Sequence, residues 1–263
     1  MEDMLLAKRH PLNSRPRGVF ITATDTGVGK TLVASALVTC LFQRGIDVGV
    51  MKPIETGVSQ STRARSDAAR LQKAAGSRDL MTEVCPYVFR LPVAPLSAAQ
   101  VEGKAIQVTT ILRAFRTLRQ KHTFMVVEGV GGIYVPITRI LNLSDLIYKM
   151  RLPVIVVGRS GLGGINHALL TLHALRDQSI PVMALVLNQQ WPVRTKIARA
   201  QEESTVNLLR RLAGVPVVGP LLYSPTMNRS WNDGLIDFAK TAPMAKLANL
   251  VLASARGTIS RRD

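Results

Sequence analysis

"ITATDTGVGKTLVASALVTCLFQRG", residues 21–45, decides how the rest of the chain is read. An apolar segment runs into a glycine-containing loop. A helical pattern follows, with Val33, Ala36, Leu37, Cys40 and Leu41 on one face and Gly45 as its stop. Strand, loop and helix in that order are the setting a phosphate-binding loop requires. Gly29, Lys30 and Thr31 match the end of the pattern G-x-x-x-x-G-K-[ST], whereas its first glycine falls on Thr24. Gly27 and Gly29 let the backbone turn tightly and aim successive N–H groups inward, and the helix start adds its positive dipole end. Lys30 would sit on the β- and γ-phosphates, and the Thr31 hydroxyl would ligate Mg2+. An ordinary turn with an accidental Lys and Thr is the bland alternative, and the number of features matching in context weighs against it.

Outward from that loop, short apolar runs alternate with helical patterns. "VFIT" (19–22), "VGVMK" (48–52), "FMVVE" (124–128), "PVIVVG" (153–158), "PVMALVLN" (181–188) and "VPVVGPLL" (215–222) read as strands. They are rich in Val, Ile and Leu without alternation, as expected where helices cover both faces of a parallel sheet. "VTTILRAFRTLRQKH", "INHALLTLHALRDQ", "STVNLLRRLAG" and "PMAKLANLVLASA" read as helices. The pattern predicts an α/β fold: a single domain with a mostly parallel, doubly wound sheet flanked by helices. That domain is expected over 18–255, between basic tails at 1–17 and 256–263.

Composition narrows the classes. The chain has 263 residues, 47% of them hydrophobic and 5% aromatic, so its core should be aliphatic. The net charge of +17 comes from basic residues scattered between Lys8 and Arg262. No aromatic interleaving suggests a base-stacking platform, so nucleic acid is not the expected partner and the charge reads as a solvated, anion-attracting surface. Cys40 and Cys85 lack a metal or disulfide spacing, which fits a reducing cytoplasm. The four histidines lack metal-ligand spacing. No apolar run approaches the ~20 residues of a membrane span, and the N-terminal leader does not resemble a signal peptide.

Four further stretches bear on the site. "MKPIETG" (51–57) places Lys52 at a strand end, where ligand crevices of α/β sheets open; a plain surface lysine is the alternative. "RSDAARLQ" (65–72) places Asp67 at a helix start, where an acid caps the helix without any metal; on this stretch alone capping is the favoured reading. "VVEGVGG" (126–132) puts Glu128 at the tip of an apolar strand, a position suited to a partner of Mg2+, with a turn acid as the alternative. "GLGGINHALL" (161–170) is a second glycine-rich helix start, suited to holding a carboxylate or else a flexible turn.

Together "TDTGVGKT", "KPIETG", "SDAARLQ", "VEGVGG", "LPVIVVGRSGLGGINHALLT" and "LVLNQ" resemble, in order, the dethiobiotin synthetases, P-loop ligases of biotin biosynthesis. The resemblance spans about residues 18 to 222. It also accounts for Thr24, since that family carries Thr there and usually has Gly one residue earlier, where Ala23 stands. It implies ATP and Mg2+, with 7,8-diaminononanoate and CO2 as substrates, and closure of a cyclic urea through a carbamate and a carbamic-phosphoric anhydride. Lys30 and Lys52 would then be catalytic. Thr26, Gly27, Val28, Gly29, Lys30, Thr31, Asp67, Glu128, Gly129, Val130, Gly131, Asn188 and Leu222 would bind ATP, with Asn188 reading adenine. Thr31, Asp67 and Glu128 would hold the metal. Thr24, Thr56, Gly163, Gly164 and Asn166 would bind the diamine, the last three across a homodimer interface. A tyrosine that assists the substrate carboxylate in some members falls on Thr205 here.

Three rivals are open to the same residues. Regulatory ATPases of cell division and partitioning carry a second lysine in the loop, where this chain has Asp25. The cobyrinate amidating synthases add a glutaminase domain, for which no segment remains after residue 222. A nucleic-acid-binding protein would use the basic surface in place of turnover.

Overall fold

The computed structural model describes residues 17–256. The tails expected at 1–17 and 256–263 lie outside the described residues, Arg17 and Arg256 apart. β1 (Gly18–Ala23) feeds α1 (Lys30–Phe42) through the glycine loop, and β2 (Val48–Met51) follows. A two-residue strand β3 (Ile54–Glu55) precedes α2 (Asp67–Ala75) and α3 (Met81–Val84), and it pairs in parallel with β4 (Tyr87–Val88). Then come α4 (Pro95–Val101), α5 (Val108–Lys121), β5 (Phe124–Gly132), α6 (Leu143–Met150), β6 (Val154–Arg159), α7 (Gly164–Asp177) and β7 (Val182–Asn188). α8 (Lys196–Leu212), β8 (Val217–Leu221), α9 (Thr226–Arg229), α10 (Trp231–Ala239) and α11 (Ala242–Arg256) complete the described residues.

The main sheet has the order β2-β5-β1-β6-β7-β8, and all its pairings are parallel. Each strand reads as a continuous apolar run because its two faces supply two different cores. Val19, Ile21, Val126, Ile155, Val157 and Val186 pack with α1, α2, α10 and α11. Phe20, Met125, Val127, Val154, Val156 and Leu185 pack with α5, α6, α7 and α8 on the other side. The six long strands and the expected doubly wound sheet are therefore present, whereas the small β3–β4 pair and the short helices α3, α4, α6, α9 and α10 carried too little periodicity to be foreseen.

One local expectation changes and one departure from the family pattern is accommodated. Ala23, where the family usually has Gly, ends β1 without left-handed backbone: among the described non-glycine residues only Arg151 (54°) and Ser179 (55°) have positive φ. Glu128 is not at a strand tip. β5 continues to Gly132, with Ala23 opposite Gly132, so Glu128 lies mid-strand and fully buried. The glycines that read as a turn let β5 run on beside the loop. Among the described residues, no helix is long and apolar enough to cross a membrane.

Helix α1 carries the loop lysine, and its inner face fixes where that lysine stands. Leu37 is wholly buried there. Leu37→Ala is expected to lower stability by about 2–5 kcal/mol in urea denaturation; a loss under about 1 kcal/mol would mean the α1 interface is not this tightly packed.

Candidate active site

Parallel topology turns the C-terminal ends of β1, β2 and β5 toward one edge, where the glycine loop, the β2–β3 connection and the start of α2 meet. A cavity of about 360 Å3 opens there, and its lining includes Lys30, Thr31, Lys52, Thr56, Asp67 and Glu128. Gly27 (φ 75°) and Gly29 (φ 105°) hold the loop in left-handed backbone, and a side chain at Gly29 would collide with the Asn188 amide. Lys30, the first residue of α1, curls back to donate to the Asp25 carbonyl oxygen at 3.1 Å.

Lys52 is the hub. Its Nζ donates to Asp67 Oδ2 at 2.9 Å, Glu128 Oε1 at 2.5 Å and the Gly129 carbonyl at 3.1 Å, which uses all three of its N–H groups. Burial opposes its charge, but the Glu128 and Asp67 carboxylates outweigh that and hold its pKa above the ordinary lysine range. Glu128 Oε1 also accepts from the Thr31 hydroxyl at 2.9 Å. The other oxygen, Oε2, is buried without a partner. Burial therefore lifts the Glu128 pKa, with Lys52 and Thr31 pulling against it. Asp67 is also part-buried, yet the Lys52 charge keeps its pKa low against that penalty.

The helix-capping reading of Asp67 is overturned. Ser66 is the cap, its Oγ accepting from Ala69 N at 3.2 Å. Glu55, buried, takes the remaining donors: Oε1 accepts from Asp67 N at 2.6 Å and Oε2 from Ala68 N at 3.1 Å. With both caps supplied by others, the Asp67 carboxylate is free to turn inward to Lys52. Glu55 was not foreseen as part of the site, although it stands one residue before Thr56 in "KPIETG". Arg70 and Trp231, also on the cavity lining, were missed as well; Trp231 comes from α10, far along the chain, and no local pattern points to it.

The other expected residues divide into two groups. Thr26, Gly27, Gly29, Thr56, Val130 and Gly131 line the same cavity. Val28 is bound through its carbonyl to Asn188 Nδ2 at 3.0 Å, and Gln190 Nε2 donates to the Gly27 carbonyl at 3.0 Å, so the end of β7 leans on the loop. Thr24 Oγ1 is buried without a partner. Leu222 is exposed just past β8. Gly163, Gly164 and Asn166, at the start of α7, do not line this cavity. They lie beyond Gly161 and Leu162, which border a separate one of about 290 Å3 with Glu202. Glu202 is satisfied by Ser160 Oγ (2.5 Å) and Gln189 Nε2 (2.6 Å), and Thr205 Oγ1 reaches the Gly161 carbonyl at 3.5 Å.

Among the described residues, no group of three or more His, Cys, Asp or Glu side chains could hold a metal by itself. A Mg2+ ion commonly takes one or two carboxylates and fills its shell with phosphate oxygens and water. Asp67, Glu128 and the Thr31 hydroxyl fit that requirement, and the buried, unpartnered Oε2 of Glu128 is an oxygen suited to a cation.

The comparisons with known proteins agree with one another. A family model described as an AAA domain matches residues 17–230. An ATP-dependent dethiobiotin synthetase of Thermodesulfovibrio yellowstonii is 39% identical over 221 residues, covering 81% of this chain and 91% of that one. Its counterpart in Anaeromyxobacter dehalogenans strain 2CP-C is 43% identical over 176 residues, covering 67% and 78%. That of Bacillus licheniformis is 35% identical over 203 residues, covering 77% and 84%. Among solved structures, the MinC:MinD cell division complex of Aquifex aeolicus superposes with TM-score 0.53 at 13% identity, covering 94% of this chain and 97% of that one. At that identity the likeness concerns the fold alone.

Lys30 gives a test of the site's electrostatics. Burial lowers its pKa from 10.5 to about 8, Lys52 adding to the effect while Glu128, Asp67 and Asp25 oppose it. Between those two values the unfolded chain holds the proton that the folded one has lost, so this group's contribution to stability grows as pH rises through 8 toward 10.5. Denaturation below and above pH 8 should show the unaltered protein gaining on Lys30→Met as pH rises; a constant difference would contradict the burial of this charge.

Proposed function

The chain belongs to the ATP-dependent dethiobiotin synthetases, and from that premise we propose that it closes the ureido ring of dethiobiotin on 7,8-diaminononanoate, using CO2 and ATP. One observation carries the mechanistic reading: Lys30 and Lys52 converge on one cavity with Asp67, Glu128 and Thr31. CO2 adds to one amine of the substrate, which loses a proton and becomes a carbamate. A carbamate oxygen attacks the γ-phosphorus and ADP leaves. The neighbouring amine then attacks the carbonyl carbon, expels phosphate and closes the five-membered ring. The substrate supplies both nucleophiles, so the protein must mainly position two anions and offset their repulsion.

In this reading the loop N–H groups and Lys30 bind the triphosphate. Burial of the Lys30 ammonium makes its charge costly in isolation, so an anion beside it recovers that cost. Lys52 gives all its N–H groups to protein oxygens, and contact with a carbamate oxygen requires one of them to change partner. Asp67, 33% exposed where Glu128 is 0%, is the partner that can move. Mg2+ held by Thr31, Asp67 and Glu128 would draw charge from the phosphoryl group during transfer. Asn188, which touches the loop through Val28, would read the base, with Leu222 beside it. Thr24 and Thr56 would hydrogen-bond the diamine or carbamate.

The proposal includes a homodimer. Gly163, Gly164 and Asn166 lie away from their own chain's phosphate cavity, which supports a role for the α7 start at a partner's site. It also includes a cytoplasmic setting, which suits the two free, buried cysteines.

Incubation with diaminononanoate, bicarbonate and MgATP is expected to yield the cyclic urea by mass spectrometry. Lys52→Ala should lower kcat by about a hundredfold or more while the KM for ATP moves little; unchanged turnover would remove Lys52 from the mechanism. Asp67→Asn and Glu128→Gln should each raise the Mg2+ concentration for half-maximal rate by about tenfold or more. An unshifted titration in both would take the metal elsewhere.

A further inference from the structure

A third cation, Arg70, stands on the cavity wall beside Lys30 and Lys52. Arg70 lies one turn after Asp67 on α2, yet its guanidinium makes no ion pair with that carboxylate. Instead its Cζ sits 3.9 Å from the centroid of the Trp231 ring. Among the described residues, no oxygen accepts a hydrogen bond from the Arg70 side chain, and both residues line the cavity with Lys30, Thr31 and Leu32. Trp231 opens α10, whose chain end is anchored by Ser230 as cap and by packing of α10 on α1. Its indole Nε1 is buried and unpartnered. It also falls one residue past the segment matched by the family model, residues 17–230.

A guanidinium held over an indole face by a cation–π contact keeps N–H groups free for another acceptor, and the guanidinium is itself planar. That plane presents paired donors, which match two oxygens of a phosphate better than a mobile ammonium does. Lys52 is already saturated by protein acceptors and Lys30 gives one N–H to the Asp25 carbonyl, so Arg70 stands beside Lys30 as a cation of this cavity with N–H groups to spare, and it alone carries them in a planar fork. We propose that Arg70 is a phosphate-binding fork for the bound nucleoside triphosphate, and that Trp231 is the positioning residue that holds it. The inference rests on the reading that this cavity takes a triphosphate.

The test uses a non-hydrolysable ATP analogue with Mg2+, measured by calorimetry, and steady-state kinetics with ATP. Arg70→Ala is expected to raise the analogue's Kd about tenfold. Arg70→Lys should not restore it, because an ammonium neither stacks nor offers a fork. Trp231→Ala should raise the KM for ATP by a similar factor with kcat within about threefold, and Trp231→Phe, which keeps an aromatic face, should recover most of the loss. The chain has two tryptophans, so in Trp191→Phe the remaining emission reports Trp231 alone and should shift when the analogue binds. Folded Arg70→Ala with unaltered affinity would overturn the fork, and so would full rescue by Arg70→Lys. If the unaltered protein bound no triphosphate, both this inference and the ligase reading would fall; if it binds and makes the cyclic urea while Arg70→Ala matches it, only the fork falls.

Discussion

The site depends on one buried ammonium. Lys52, 3% exposed, joins the end of β2 to the first residue of α2 and the middle of β5 through Asp67, Glu128 and the Gly129 carbonyl. A lone charge at that depth would be expelled or neutralised, so the two carboxylates must be present for it to exist. The dependence runs both ways. Without the lysine, Asp67 and Glu128 would repel each other across the cavity, and removing one member of such a buried set typically costs about 3–5 kcal/mol. The same grouping places two carboxylates and two lysines on one cavity while leaving one Glu128 oxygen unpaired.

The rest of the architecture serves that grouping. Six parallel strands bring three C-terminal ends to one edge, and two aliphatic cores fix the helices on either side. Glu55 and Ser66 satisfy the first N–H groups of α2, which releases Asp67 from the capping task its position invites. Asn188 and Gln190 brace the glycine loop from β7. A charged hub whose own N–H groups are all engaged thus sits among supports, Glu55, Ser66, Asn188 and Gln190, that hold the backbone around it.

Much of this was legible in the residues. Runs such as "VFIT" and "PVIVVG" announced buried parallel strands, and "TDTGVGKT" announced an anion-binding loop, because backbone geometry leaves few residue choices there. Glu128 and Asp67 were picked out as members of the site but given the wrong local settings. A strand that continues through "GVGG" looks like a turn when its neighbour is unknown, and an acid at a helix start looks like a cap when the true caps come from Ser66 and from Glu55, 12 residues earlier than Asp67. Trp231 was invisible for a simpler reason: its place on the cavity is set by how α10 packs on α1. The fold alone does not separate a ligase from a cell division protein such as MinD, as the shared architecture at 13% identity makes plain. Asp25 does bear on that choice, since it pairs with Arg159 at 3.2 Å where the regulatory ATPases would place a lysine.

In the proposed reaction a carbamate oxygen strikes the γ-phosphorus beside Lys30 and Lys52. Oxygen transfer reads that step directly. Freshly mixed 18O-labelled CO2, diaminononanoate and unlabelled MgATP should give released phosphate carrying one 18O atom, because the oxygen that joined carbon to phosphorus leaves with phosphorus when the ring closes. Phosphate free of the label, formed together with dethiobiotin, would contradict the account.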